Sequence, residues 1–117
     1  MAQSISEFNA ERERLNDIVL EHAGQTTKRF FSLDSQAYRD GALPAKTKEL
    51  LGLVSSLVLR CDDCVKYHVI QCHEAGYTTG EIEEALSVGM LVGGSITIPH
   101  LRRAMEAWKE LEEGNQA

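Results

Sequence analysis

An all-α fold of about six helices is what the 117-residue sequence predicts. Apolar residues recur at helical intervals through almost the whole chain. No stretch sustains the period-two alternation of β-branched and aromatic residues that a half-buried strand would show. The apolar stretches are separated by Ser and Thr capping boxes, glycines and prolines, the residues that start and stop helices.

Ser4 and Glu7 form the first capping box, and Ile5, Phe8, Leu15, Ile18, Val19 and His22 follow one stripe toward Gly24. A first helix is expected from about Ser6 to Ala23. A second begins near Thr26 or Thr27, carries Phe30, Phe31, Ala37 and Tyr38, and is expected to stop at Gly41, because glycine accepts the left-handed conformation cheaply. Pro44 suits the first turn of a third helix, from Ala45 to about Arg60. Its Leu50, Leu51, Leu53, Val54, Leu57, Val58 and Leu59 make it apolar on most sides, so it is expected to be central and covered all round.

Asp62 and Asp63 favour a helix N-cap and first turn, which places Cys61 at a junction and Cys64 in the first turn of a fourth helix ending at Gly76. Thr78 and Glu81 form a second capping box and open a helix with Ile82, Ala85, Leu86, Met90 and Leu91 that stops at Gly93-Gly94. Gly89 and Gly93 leave room for a close approach. The last helix starts near Thr97 or Ile98, tolerates Pro99 in its first turn, and uses Ile98, Leu101, Met105, Trp108 and Leu111 as its apolar stripe. Gly114 to Ala117 is expected to fray. Residues 1–117 are expected to form a single domain, reliant on partner subunits where helix surface is apolar.

Eighteen acidic residues against twelve Lys and Arg give a formal charge of −6. That argues against a nucleic-acid or anionic-membrane partner, either of which needs a clustered positive face. The apolar segment Leu50 to Leu59 is broken by Gly52, Ser55 and Ser56 and is shorter than the roughly 20 residues that span a bilayer. Met1 to Ser4 offers neither the basic n-region nor the apolar h-region of a secretory signal, so a cytoplasmic location is expected. In that compartment a CxxC reads first as redox-active or metal-binding.

The chemistry concentrates in Glu49, Cys61, Cys64 and His68. Cys64 and His68 are one helical turn apart on one face, so the imidazole can take or share the thiol proton. The thiolate is the reacting species, and the helix N-terminus adds positive potential near Cys64. Asp62 and Asp63 push the other way. Cys61 can then resolve a mixed disulfide or a sulfenic acid on Cys64 by closing the Cys61–Cys64 bond. Glu49, on a helix expected to be covered, needs a partner, and a hydrogen bond to His68 would satisfy both groups and orient the ring.

Glu49, an eleven-residue gap, Cys61-x-x-Cys64 and His68 four positions on resemble the carboxymuconolactone decarboxylase superfamily, and within it the AhpD-like alkylhydroperoxidase branch. Ala75-Gly76 and Glu81-Ile82 follow as that pattern leads one to expect. The resemblance covers roughly Leu43 to Trp108 and implies an all-helical fold, a thiol-dependent peroxidase or disulfide reductase, and assembly into trimers or hexamers. It also implies a Glu49–His68 proton relay to the cysteine pair and an external dithiol donor that regenerates the thiols after a hydroperoxide or disulfide substrate has reacted. Hydroperoxidases of the family often carry a histidine between the cysteines, where this chain has Asp62-Asp63.

Other readings are open on the same residues. Cys61, Cys64, His68, Cys72 and His73 look like metal ligands, but on one helix Cys61 and Cys72 would lie about 16 Å apart. No metal or cofactor is therefore expected. A cofactor-free lactone decarboxylase would want a general acid and a cationic anchor, and a small oligomeric binding protein would need no chemistry at all. Cys72 is expected to be core, Tyr67 to pack or line a pocket, and His100 to cap or face solvent more than to lie over the active site or at a subunit seam; Met90, Met105 and Trp108 read as core or interface.

Overall fold

Six α-helices and one 3₁₀ turn make up the computed structural model of the chain, which describes residues 3–115. Among the described residues there is no strand, and no helix is long and apolar enough to cross a membrane. Met1, Ala2, Gln116 and Ala117, on which the leader and tail expectations partly rest, lie outside the described residues. The chain falls into two compact units that divide after Gly41.

The first unit holds α1 (Ile5–His22) and α2 (Gln25–Ala37). The capping box is reciprocal: the Glu7 N–H donates to Ser4 Oγ and the Ser4 N–H to Glu7 Oε1, both at 3.1 Å. Two of the first-turn amides that have no partner within the helix are thereby satisfied. The second helix does not run to Gly41. It ends at Ala37, where the Arg39 N–H donates to the Gln36 carbonyl and tightens the last turn to i→i−3 spacing. Phe30 and Leu33 are exposed on its surface.

The second unit holds α3 (Ala45–Val58), α4 (Asp62–Glu74), α5 (Thr79–Gly93), the 3₁₀ turn Ser95–Thr97 and α6 (Ile98–Asn115). Pro44 is the N-cap of α3 rather than part of its first turn. The third helix packs on α4 and α5, and α4 packs on α6. Leu53 and Leu57 of α3, Val65, Val69 and Cys72 of α4, Ile82 and Leu86 of α5, and Trp108 of α6 are buried. The Trp108 Nε1–H donates to Thr79 Oγ1 at 2.9 Å, which meets the one polar need of that ring.

At Gly89 a Cβ would come within 3.1 Å of Leu57 and 3.3 Å of Val54, so the close approach read from the sequence is that of α3. The expectation that the third helix is covered all round fails within the chain, because Leu51 on α3 and Leu59 just past its end are exposed. The apolar periodicity marks faces that avoid water without distinguishing a neighbouring helix of this chain from open surface. At the other end, α6 continues through Gly114 to Asn115, further than the expected fraying point.

Gly76 and Gly94 end α4 and α5 with φ of +94° and +84°. The end of α3 also takes a positive φ, without glycine. Arg60 has φ +59°, the Arg60 N–H donates to the Leu57 carbonyl at 2.9 Å, and the Cys61 N–H reaches back to the Ser56 carbonyl at 3.1 Å. This pair of bonds is a Schellman closure, which satisfies two terminal carbonyls and turns the chain sharply into Cys61. A side chain at a left-handed position costs about 1 to 2 kcal/mol. Arg60→Gly is accordingly expected to stabilise the protein by about 0.5 to 1 kcal/mol, part of the relief being offset by glycine's unfolded-state entropy. A urea midpoint that fell instead of rising would show that the Arg60 side chain makes a larger compensating contact.

Candidate active site

Three helices deliver the polar groups of the site. Glu49 lies in the second turn of α3, Cys61 is the N-cap of α4, Cys64 and His68 follow on that helix, and His100 and Arg103 lie at the start of α6. The segment between α4 and α5 steadies the Glu49 turn. Tyr77 Oη donates to the Lys46 carbonyl at 2.9 Å, and the Lys46 ammonium sits 4.5 Å over the Tyr77 ring.

Glu49 Oε2 and His68 Nδ1 are 2.9 Å apart, with side chains only 16 % and 10 % exposed. A carboxylate acceptor at that distance fixes the proton on Nδ1, so Nε2 becomes the nitrogen that exchanges a proton with a reacting group. Burial gives this bond weight, since each partner alone would be a desolvated polar group. The Tyr67 ring meets His68 edge-on with centroids 5.1 Å apart and further restricts the imidazole.

Cys61 and Cys64 are joined as a disulfide, with Cα atoms 5.3 Å apart. Cys64 is exposed, while Cys61 is half-buried. The sulfur of Cys61 accepts the Cys64 N–H at 3.2 Å, so Cys61 is the residue that caps α4. By sequence the benefit of the helix N-terminus falls to Cys64. In the structure that N–H points at Cys61, because the Schellman turn brings its side chain over the first turn of the helix.

Asp62 does not stand as an open charge beside the thiols. His100 Nδ1 lies 2.7 Å from its Oδ1, and Arg103 approaches Oδ2 through Nε at 3.0 Å and Nη2 at 2.9 Å. Partial burial pushes the Asp62 carboxyl up, but the hydrogen bonds from Arg103 and His100 outweigh it and hold the carboxyl below its usual value. His100 thus lies beside the cysteine turn, the less favoured of its sequence alternatives, and nothing in the sequence marks Arg103. Their contacts with Asp62 span 38 and 41 residues, which no local motif signals. Asp63 is exposed.

Cys72 is fully buried on the same face of α4 as His68, one turn further on. Burial, and then the Glu49 charge, push its thiol up to about 12 from 9.0. Tyr77 shifts upward as well, chiefly by burial. His73 lies edge-on to Trp108 with centroids 5.1 Å apart and 3.9 Å from Glu112, away from the cysteine pair's partners. Among the described residues no group of three or more His, Cys, Asp or Glu side chains is placed to hold a metal ion.

These placements separate the three thiols. After reduction, Cys61 and Cys64 should alkylate in the native protein at neutral pH, and Cys72 only after denaturation, as counted by intact mass. The raised Cys72 and Tyr77 values mean that the folded state holds those protons more tightly than the unfolded chain. The Cys72 contribution to stability is therefore complete below about pH 9 and lost as pH rises toward about 12, and Tyr77 acts in the same direction. Native alkylation of Cys72 at the rate of the other two would contradict its assignment as buried and inert.

Comparison with known proteins places the chain. Residues 24–107 match the model of the carboxymuconolactone decarboxylase family. The chain is similar to two crystal structures of TM1620 from Thermotoga maritima, at 53 % and 52 % identity with TM-scores of 0.91 and 0.89. The alignments cover 93 % of this chain and 96 % and 92 % of those chains. TM1620 is described as a carboxymuconolactone decarboxylase family protein and a candidate for involvement in antioxidative response. A family protein from Legionella pneumophila is 25 % identical, with a TM-score of 0.82 over 91 % of this chain and 95 % of that one. An uncharacterized protein of Cupriavidus necator is 36 % identical over 58 residues, 50 % of this chain, and the chain spans about half (51 %) of that relative's length. With the matching family model covering most of the chain and a near-complete structural match at over half identity, the chain belongs to the carboxymuconolactone decarboxylase family.

Proposed function

We propose that this protein is a thiol–disulfide oxidoreductase of the alkylhydroperoxidase kind, in which Cys61 and Cys64 cycle between dithiol and disulfide. The observation that carries this reading is the bonded Cys61–Cys64 pair at the start of α4, one turn before a buried Glu49–His68 hydrogen bond. Exposure of Cys64 and proximity in sequence to His68 make it the attacking thiol.

In the peroxide half-reaction the Cys64 thiolate attacks the distal oxygen of a hydroperoxide. The O–O bond breaks, Cys64 becomes a sulfenic acid, and the alkoxide leaves with a proton supplied through His68 Nε2. Cys61, as thiolate, attacks the Cys64 sulfur, expels hydroxide that is protonated to water, and closes the disulfide. An external dithiol then gives up two electrons and two protons to restore both thiols. A small disulfide substrate would enter the same cycle through a mixed disulfide. Glu49 acts through His68 by holding its tautomer and balancing the imidazolium. Kinship with a candidate antioxidative protein supports the same reading.

A homo-oligomer, trimer or hexamer, belongs to this proposal, as does a cytoplasmic location. Leu91 is 85 % exposed, and Val88, Val92 and Ile96 beside it are also open, a cluster larger than the scattered apolar residues of an ordinary surface. A monodisperse monomer at micromolar concentration would contradict the oligomer.

The test is consumption of a hydroperoxide with a dithiol reductant. Cys64→Ser should abolish turnover, and Cys61→Ser should stop after the sulfenic acid forms. Glu49→Gln should slow turnover by about tenfold or more and displace the pH–rate profile. Wild-type protein without peroxide or disulfide turnover would return the chain to a decarboxylase-like or non-catalytic reading.

A further inference from the structure

The acid at position 62 has a use that neither the CxxC chemistry nor the family match assigns. We infer that Asp62, His100 and Arg103 form a clamp in which the start of α6 neutralises the charge beside Cys61, so that Cys61 can exist as a thiolate when the disulfide opens. His100 and Arg103 are positioning residues in this arrangement, acting on the sulfur through Asp62. The inference rests on the reading of Cys61 and Cys64 as a redox pair.

The geometry supports a clamp rather than a chance surface pair. Both oxygens of Asp62 are occupied, Oδ1 by His100 and Oδ2 by the Nε and Nη2 of Arg103. With Asp62 as acceptor, His100 must carry its proton on Nδ1. The 3.4 Å approach of Arg103 Nη2 to that nitrogen then sets two donors side by side on one carboxylate and is not itself a hydrogen bond. The His100 side chain is 18 % exposed, whereas Asp62 and Arg103 are 47 % and 54 % exposed, so solvent screens the clamp only in part on the His100 side and more on the Arg103 side.

Asp62 immediately follows Cys61, whose sulfur accepts the Cys64 N–H. In the reduced protein the same N–H favours the Cys61 thiolate, as helix N-termini do. An open carboxylate one residue away would oppose it. The Arg103 charge cancels that opposition and leaves the N–H contribution in force. The other charged groups near the turn do not serve this purpose. Arg60 and Asp63 are exposed neighbours of opposite sign, and Glu49 and His68 are bonded to each other. The lowered Asp62 carboxyl is consistent with a charge held by partners rather than by solvent.

The measurement is the rate at which Cys61 reacts with iodoacetamide, a neutral reagent that steering does not favour, at neutral pH in a Cys64→Ser background. Arg103→Gln should slow this reaction by about three- to tenfold, the effect of uncovering one partly screened carboxylate that follows Cys61 in the chain. His100→Gln should slow it less, and Arg103→Lys should keep most of the rate. Adding Asp62→Asn to Arg103→Gln should restore the rate to within about twofold of the parent, because the charge that needed cancelling is gone. Asp62→Asn alone should react at least as fast as the parent.

An unchanged rate in Arg103→Gln would overturn the inference. So would a double variant as slow as Arg103→Gln alone, which would mean that the loss came from distortion rather than charge. If Arg103→Gln does not fold, the direction of the Asp62→Asn change decides, and a slower reaction rejects the clamp. Alkylation needs no turnover, so a wild-type protein that consumes no peroxide would sink the redox reading while leaving this result legible on its own.

Discussion

The hydrogen bond between Glu49 and His68 fixes how α3 and α4 lie against each other, and the rest of the site follows from it. Each partner is a polar group withdrawn from water, so the pair is stable only when both are in register. That requirement sets the rotation of α4 about its own axis. Cys64 and Cys72 lie one turn either side of His68, so the same rotation carries Cys72 into the interior while Cys64, nearer the helix end, stays exposed. The polar pair, with the buried Val65 and Val69 of the same helix, thus sorts an available sulfur from an inert one.

The connection between the two helices is equally constrained. Only Leu59, Arg60 and Cys61 separate α3 from α4. A reversal that short has to use the left-handed conformation, and the Schellman closure at Arg60 supplies it while satisfying the carbonyls of Ser56 and Leu57. The chain leaves this turn with Cys61 already in the extended conformation of an N-cap, φ −99° and ψ 97°. The disulfide joins the cap of the helix to its first turn, a position where a bond can open and close without unwinding the helix behind it.

Much of this is legible in the sequence where the physics is local. The two capping boxes are four-residue patterns, and both form with reciprocal bonds. The helical periodicity, the CxxC spacing and the need of Glu49 for a partner are likewise set by near neighbours or by the cost of burial. What the sequence conceals depends on tertiary or unusual backbone choices. Gly41 carries the residue type of a helix stop, yet α2 has already tightened and ended at Ala37. Arg60 takes a left-handed conformation that its residue type does not advertise. Leu51 and Leu59 fit the apolar pattern of a covered helix and are exposed within the chain.

The acidic pair inside the CxxC shows why a motif alone does not set the electrostatics of a site. Asp62 and Asp63 are adjacent and chemically identical, and by sequence both oppose a thiolate. In the fold they diverge. Both are exposed, but Asp62 reaches across to His100 and Arg103 on a helix some forty residues away in sequence. A chain with a formal charge of −6 thus places a cation against the acid that follows Cys61 in sequence. A carboxylate bonded to a guanidinium contributes a dipole rather than a charge, and a dipole's influence falls off faster with distance. The field at the sulfurs is thus set by which acid the start of α6 engages, and the two aspartates of one motif contribute unequally to it.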